Sequence, residues 1–300
     1  MSSASAPFAP FGRVLTAMVT PFTPDGRVDF DSVQALAKHL ADRRHDGLII
    51  NGTTGESATT SDEEKRDLLV AVKEAVGDRL KIVAGVGSND TAHTLELTRQ
   101  AAEVGVDGML VVTPYYNKPP QTGLIAHFTA VADETDTPVM LYDIPGRSGV
   151  PITTATLLEL AKHPRIVAVK DAKGDLWAAA HVMRSTDLAW YSGDDGANLA
   201  HLTQGAVGVV GVTSHVASVQ YAEMIDALDR GDLRAAIEIH HRLVPAVDAV
   251  MGITQGAIMV KAALADAGVI PHNTMRLPLV AATDTELAAL RDGLKESNLS

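Results

Sequence analysis

Residues 166–172 read IVAVKDA: a short apolar run, rich in β-branched residues, that ends in Lys170 and Asp171. A run without polar alternation is a strand buried on both faces, as in parallel sheets covered by helices. An ammonium group at the tip of such a segment needs a physical reason, because taking a charge out of water is costly. The same pattern recurs along the chain. VLTAMVTPF (14–22), GLIIN (47–51), KIVAGVG (81–87), GMLVVTP (108–114) and PVMLYDIP (138–145) precede it, and AWYSGDD (189–195) and GVVGVTS (208–214) follow. Between these runs the apolar residues recur at three and four, the helical period. In SDEEKRDLLVAVKEAVGD, Ser61 and Glu64 fit a capping box, and Leu68, Val72, Ala75 and Val76 share one face.

Eight strand–helix pairs ending near residue 230 predict a (β/α)8 TIM barrel. The competitor is a doubly wound open sheet. Against it, the third run ends GVGSND without a third glycine and no GxxxxGK[ST] occurs, so neither nucleotide-binding fingerprint is present. Beyond residue 230 only helical patterns remain: LRAAIEIHHRLVPAVDAVM, QGAIMVKAALADAG and DTELAALRDGLKESN. The expected organisation is a flexible N-terminus over 1–10, a catalytic barrel over 11–230 and a C-terminal helical region over 231–300. No low-complexity linker separates that region, so it is expected to pack on the barrel.

Composition agrees with a compact enzyme or binder: of 300 residues, 46% are hydrophobic and 21% charged, close to the globular average. A formal charge of -12 repels nucleic acid and anionic lipid, so neither is an expected partner. No stretch approaches the ~18 uninterrupted apolar residues of a membrane span, and MSSASAPFAPFG has neither the basic nor the apolar region of a secretion signal. The expected location is cytoplasmic. The absence of cysteine excludes disulfides, thiol nucleophiles, Cys-ligated zinc and iron–sulfur clusters.

In such barrels the reactive groups lie just past the C-terminal ends of the strands. Here those positions hold Gly52-Thr53-Thr54-Gly55-Glu56-Ser57, Thr113-Pro114-Tyr115-Tyr116, Tyr142-Asp143-Ile144-Pro145-Gly146-Arg147, Lys170 and Ser192-Gly193-Asp194-Asp195. An exposed lysine has a pKa near ~10.4; desolvation lowers it, and a shift of about three units corresponds to ~4 kcal/mol. A neutral amine so produced can form a Schiff base with a ketone or aldehyde. The alternative is a structural ion pair of Lys170 with Asp171 or Glu56. Tyr142 closes the neighbouring run, so its phenol either relays a proton to Lys170 or packs with a single hydrogen bond. Thr53 and Thr54, between glycines, either bind a small carboxylate or cap the next helix. Arg147 is a bidentate carboxylate anchor or a solvated loop charge. Asp194-Asp195 diverge and lack a nearby His or Glu to complete a ligand set, so no metal is expected. His240-His241 lie mid-helix, where surface or packing roles are commoner.

GTTGES (52–57), VTPYYNKP (112–119), YDIPGRSG (142–149), VKDA (169–172) and SGDD (192–195) resemble, in order and spacing, the pyruvate-dependent class I aldolases of the dihydrodipicolinate synthase and N-acetylneuraminate lyase group. The resemblance covers nearly the whole chain, and Arg147 with GTTGE looks like the synthase branch. It implies that Lys170 forms a Schiff base with pyruvate, whose carboxylate sits around Thr53 and Thr54. The derived enamine adds to aspartate semialdehyde, held by Arg147. Tyr142, Thr54 and a Tyr116 from a neighbouring subunit relay protons, and Gly193 and Val210 line the site. It also implies a homotetramer, a dimer of dimers, and no cofactor beyond the Schiff base. A sister aldolase using a sugar-acid-derived aldehyde, or a barrel that binds without turnover, is the alternative.

Members of that family that lysine inhibits use a dimer-interface pocket. Here Ser57, Ala58, Asn89 and Tyr115 are kept, whereas Asp62, Lys65 and His93 stand where histidines and a glutamate are usual. A cation at Lys65 repels a lysine ligand, so the expected feedback is weak or absent.

Overall fold

The structure, a computed structural model, describes residues 8–299. Eight strands lie in sequence order around a closed barrel: β1 (Val14–Ala17), β2 (Gly47–Ile50), β3 (Lys81–Gly85), β4 (Gly108–Val112), β5 (Val139–Asp143), β6 (Ile166–Asp171), β7 (Ala189–Ser192) and β8 (Gly208–Gly211). All neighbours are parallel, and β8 pairs back to β1. Helices fill the crossovers, as the alternating periods predict; Ser61 and Glu64 form the expected capping box on the helix Asp62–Val76.

Every strand is shorter than the apolar run that announces it. The first run shows why: the barrel ladder covers Val14–Ala17, while Met18 and Val19 stay buried beyond it and Phe22, also buried, forms only an isolated antiparallel bridge with Val28. An apolar run therefore marks burial, of which pairing is only a part.

The pleat divides the strands between two cores. Leu15, Ile49, Val83, Leu110, Met140, Ala168 and Tyr191 fill the barrel interior. Leu48, Ile82, Met109, Leu141, Val169 and Trp190 face outward onto the helices. Because Ala168 points in and Val169 out, the same alternation sends Lys170 into the barrel and Asp171 to the helical side. The far end is stoppered by Phe11, fully buried against Tyr191, whose hydroxyl donates to the Gly12 carbonyl at 3.0 Å. Of the segment expected to be flexible, residues 1–7 lie outside the described residues, and Ala9 packs against the interior cluster.

After β8 come the helices Ser214–Asp229, Leu233–Val247, Gly256–Asp266 and Asp284–Glu296. The helix Gly256–Asp266 is almost wholly apolar, Lys261 and the terminal Asp266 apart, because it is enclosed: every residue from Gly256 to Leu264 is buried. Among the described residues no single helix is long and apolar enough to cross a membrane.

Candidate active site

Strands β5 and β6 pair with Tyr142 opposite Lys170 and Asp143 opposite Asp171. The first pair points into the barrel. Lys170 is only 5% exposed, and its Nζ lies 4.2 Å from the centroid of the Tyr142 ring. Burial pushes its pKa down to about 8; Asp195 opposes this and Arg147 adds to it. At that value about one molecule in ten carries a neutral amine at pH 7. Burial acts oppositely on the Tyr142 phenol, raising it to about 12, so the hydroxyl keeps its proton beside the amine.

Neither carboxylate weighed as a structural partner reaches Lys170. Asp171 is turned away, its Oδ1 accepting the Lys173 N–H at 2.7 Å, and Glu56 is bonded to Lys261 at 2.5 Å. Among the described residues Lys170 has no ion pair. The room for its side chain comes from Gly193, where a Cβ would lie 2.8 Å from Lys170 Cγ and 2.9 Å from Cε.

A cavity of about 450 Å³ opens over Lys170, walled by Tyr142, Arg147, Thr53 and Thr54. The threonines form a 3-10 turn, Thr53–Gly55, with Thr54 buried. They do not cap the following helix, because Ser61 does. Arg147 is exposed on the turn Pro145–Ser148, and among the described residues its guanidinium has no ion pair, which leaves it free for a ligand anion. The cavity continues outward past Ser57, Ala58 and Tyr115 to Asp62, Lys65 and His93. There Lys65 Nζ donates to the Thr60 carbonyl at 2.5 Å, and Asp62 lies 3.6 Å from it and 2.9 Å from His93 Nε2.

Other anticipated residues lie elsewhere. Tyr116 is 89% exposed at φ +74 and does not wall its own chain's cavity. Val210 belongs to the barrel interior, and Asn89 accepts from Asn117 Nδ2 at 2.8 Å, outside the cavity wall. Asp195 Oδ2 accepts the N–H groups of Val212 and Thr213 at 3.0 and 2.8 Å, and Asp194 Oδ1 that of Gly196 at 3.0 Å, so backbone amides occupy this acidic pair. His240 and His241 sit on the helix Leu233–Val247, remote from the cavity. Two residues escaped the sequence reading, Lys261 and Arg276, which reach Glu56 and Glu64 behind the threonine turn. The signal for the first was a lone lysine inside the apolar stretch GAIMVKAALA.

The chain matches the model of the Dihydrodipicolinate synthetase family over residues 10–297. It is 59% identical over 299 residues to the 4-hydroxy-tetrahydrodipicolinate synthase of Kineococcus radiotolerans, covering 100% of this chain and 97% of that one. To 4-hydroxy-tetrahydrodipicolinate synthase 2 of Streptomyces coelicolor it is 58% identical, covering 97% of each chain. Among solved structures, DHDPS from Cyanidioschyzon merolae, crystallised with lysine bound, superposes with a TM-score of 0.94 at 43% identity, over 97% of this chain and 99% of that one. A closed parallel barrel, a buried unpaired lysine under a tyrosine face and these similarities agree: the chain belongs to the dihydrodipicolinate synthetase family.

Proposed function

We propose that this chain acts as a 4-hydroxy-tetrahydrodipicolinate synthase, condensing pyruvate with L-aspartate 4-semialdehyde through a Schiff base on Lys170. The observation that carries the reading is a buried ammonium without a carboxylate partner, facing a cavity and a protonated phenol.

The neutral Lys170 amine attacks C2 of pyruvate. Loss of water gives the iminium, and release of a methyl proton gives the enamine. Enamine carbon then adds to the aldehyde of the second substrate, whose oxygen takes up a proton. The substrate's own amine displaces Lys170 from C2, closing the ring and regenerating the free lysine. Thr53 and Thr54 offer hydroxyls and backbone N–H groups to the pyruvate carboxylate, and Arg147 offers a planar fork to the second carboxylate. Tyr142, with a pKa near 12, returns the proton it passes on, in concert with Thr54. Gly193, packed against the Lys170 side chain, and Val210, in the barrel interior, are the backbone positions assigned to line the site.

Tyr116 fits this scheme as a residue contributed to a neighbouring subunit: a large aromatic side chain, exposed on its own chain and held at positive φ, has no task there. The assembly so implied is a homotetramer of paired dimers. The reaction is cytoplasmic and uses no cofactor beyond the covalent adduct. The outer chamber at Ser57, Ala58 and Tyr115, with Asn89 nearby, is the candidate regulatory site.

Incubation with pyruvate and borohydride, followed by mass measurement, tests the reading. One irreversible adduct mapping to Lys170 is expected, absent in Lys170→Ala; no mass gain in the unmodified protein refutes it. A coupled assay then compares aspartate semialdehyde with hexose-type aldehydes, and preference for the latter would make the chain a sister aldolase.

A further inference from the structure

The turn that carries Thr53 and Thr54 is held from far away in the chain. Glu56 ends it in the left-handed region, at φ +57, and is only 4% exposed. Its Oε1 accepts from Lys261 Nζ at 2.5 Å, across 205 residues, and its Oε2 accepts the Arg276 N–H at 3.0 Å. Lys261 is fully buried; it also donates to the Thr274 carbonyl at 2.8 Å and lies 4.1 Å over the Phe22 ring. The Arg276 guanidinium packs 4.4 Å from the same ring. It donates to the carbonyls of Gly26 and Thr59 at 2.8 Å each, and forks onto Glu64 at 2.7 and 2.6 Å. The segment from Thr53 to Glu64 is thus fastened at three points, Glu56, Thr59 and Glu64, by residues of the C-terminal region.

We propose that Lys261 and Arg276 are positioning residues for the pyruvate-carboxylate site, holding the Thr53-Thr54 turn through Glu56 in its ligand-ready shape. The inference rests on the function proposed above. Two features separate it from a purely stabilising role. A buried ion pair is a poor source of stability compared with apolar packing of the same volume; what it supplies is direction. And the pair sits one residue beyond the turn rather than deep in the appendage: Glu56 directly follows Gly55, whose carbonyl Thr20 also fixes at 2.7 Å. Small displacements of groups that orient a substrate have large rate consequences.

Hydrogen exchange on the unmodified, ligand-free protein gives the first test. The amides of Gly55, Glu56 and Ser57 should exchange as slowly as those of β2; exchange as fast as in the exposed stretch around Leu277 would overturn the proposal. The second test is the double variant Glu56→Gln/Lys261→Met, which removes both buried charges together. The expected result is a KM for pyruvate raised roughly tenfold or more, with faster exchange at 55–57, while the KM for aspartate semialdehyde stays within about twofold. A folded double variant with unchanged pyruvate KM, or with both KM values raised alike, would overturn the inference. Should that variant not fold, exchange on the unmodified protein decides. Failure of the unmodified protein to trap pyruvate is a separate result, which sinks the proposed function and not the clamp.

Discussion

Among the described residues Lys65, Lys170 and Lys261 are buried, and burial pulls two of them to a pKa of about 8: Lys170 at the end of β6, and Lys261 on the helix Gly256–Asp266. Both lie over an aromatic face, Tyr142 for Lys170 and Phe22 for Lys261, but their partners and access differ. Lys261 has a carboxylate at 2.5 Å and a carbonyl at 2.8 Å, and it does not reach the cavity. Lys170 has neither partner and opens onto space a substrate can occupy. Burial alone therefore does not separate the two. What sets apart Lys170, the proposed nucleophile, is a desolvated amine with no ion pair among the described residues, in a place with access.

Stability separates the pair most strongly. Replacing Lys261 by Met strands Glu56 as a buried, uncompensated charge and should cost about 3–5 kcal/mol. Replacing Lys170 by Met should have the opposite sign. The folded pKa of Lys170 lies below the unfolded value of ~10.4, so the cost of burying its ammonium is fully present below pH 8 and lost as pH rises from 8 toward 10.4. Lys170→Met should therefore gain about 3 kcal/mol at pH 7, shrinking toward zero near pH 10.5. Urea denaturation of both variants at those two pH values checks this, and a loss in both would erase the distinction.

Next in size is Tyr142→Phe, which keeps the ring over Lys170 and removes only the hydroxyl. A fall in kcat of about 10²–10³, with the borohydride adduct still forming, is expected from the range typical of general acid–base groups. An unchanged kcat would reduce Tyr142 to packing.

The pH dependence of trapping follows. Adduct formation with pyruvate should rise close to tenfold per pH unit below about 8 and level off above it, because only the neutral amine attacks. A flat profile from pH 6 to 9 would mean that Lys170 is already deprotonated at neutrality.

How much of this could be read from the residues follows from the same contrast. The barrel was legible because eight apolar runs alternate with helical periods, and Lys170 because it ends one of them. The inward turn of Lys170 and the outward turn of Asp171 follow from strand alternation, and the facing of Tyr142 and Lys170 from two consecutive parallel strands. Strand ends were not legible, because residues such as Met18 and Val19 are buried although they lie outside the barrel strands. Nor was the Glu56–Lys261–Arg276 network, since a contact across 205 residues leaves no periodic trace. Glu56 could even be weighed as a partner for Lys170 until the structure showed it taken.

The smallest effect is expected at the outer end of the cavity, where a third amine plays a role unlike the other two. Lys65 is buried; desolvation lowers its pKa, and Asp62, its salt-bridge partner, is shared between it and His93. The relative from Cyanidioschyzon merolae is crystallised with lysine bound. In this chain a lysine ligand would bring a second ammonium to a chamber whose anion is already engaged. At an effective dielectric of about 20 and a separation of about 5 Å, that repulsion is on the order of 3 kcal/mol, about a hundredfold in affinity. Millimolar lysine should therefore change the turnover of the unmodified enzyme by less than about twofold. Lys65→Ala, which frees Asp62 to meet an ammonium, should make the enzyme more sensitive. Inhibition of the unmodified enzyme by submillimolar lysine would show that Lys65 swings out of the chamber, its amine less firmly fixed by burial than those of Lys170 and Lys261.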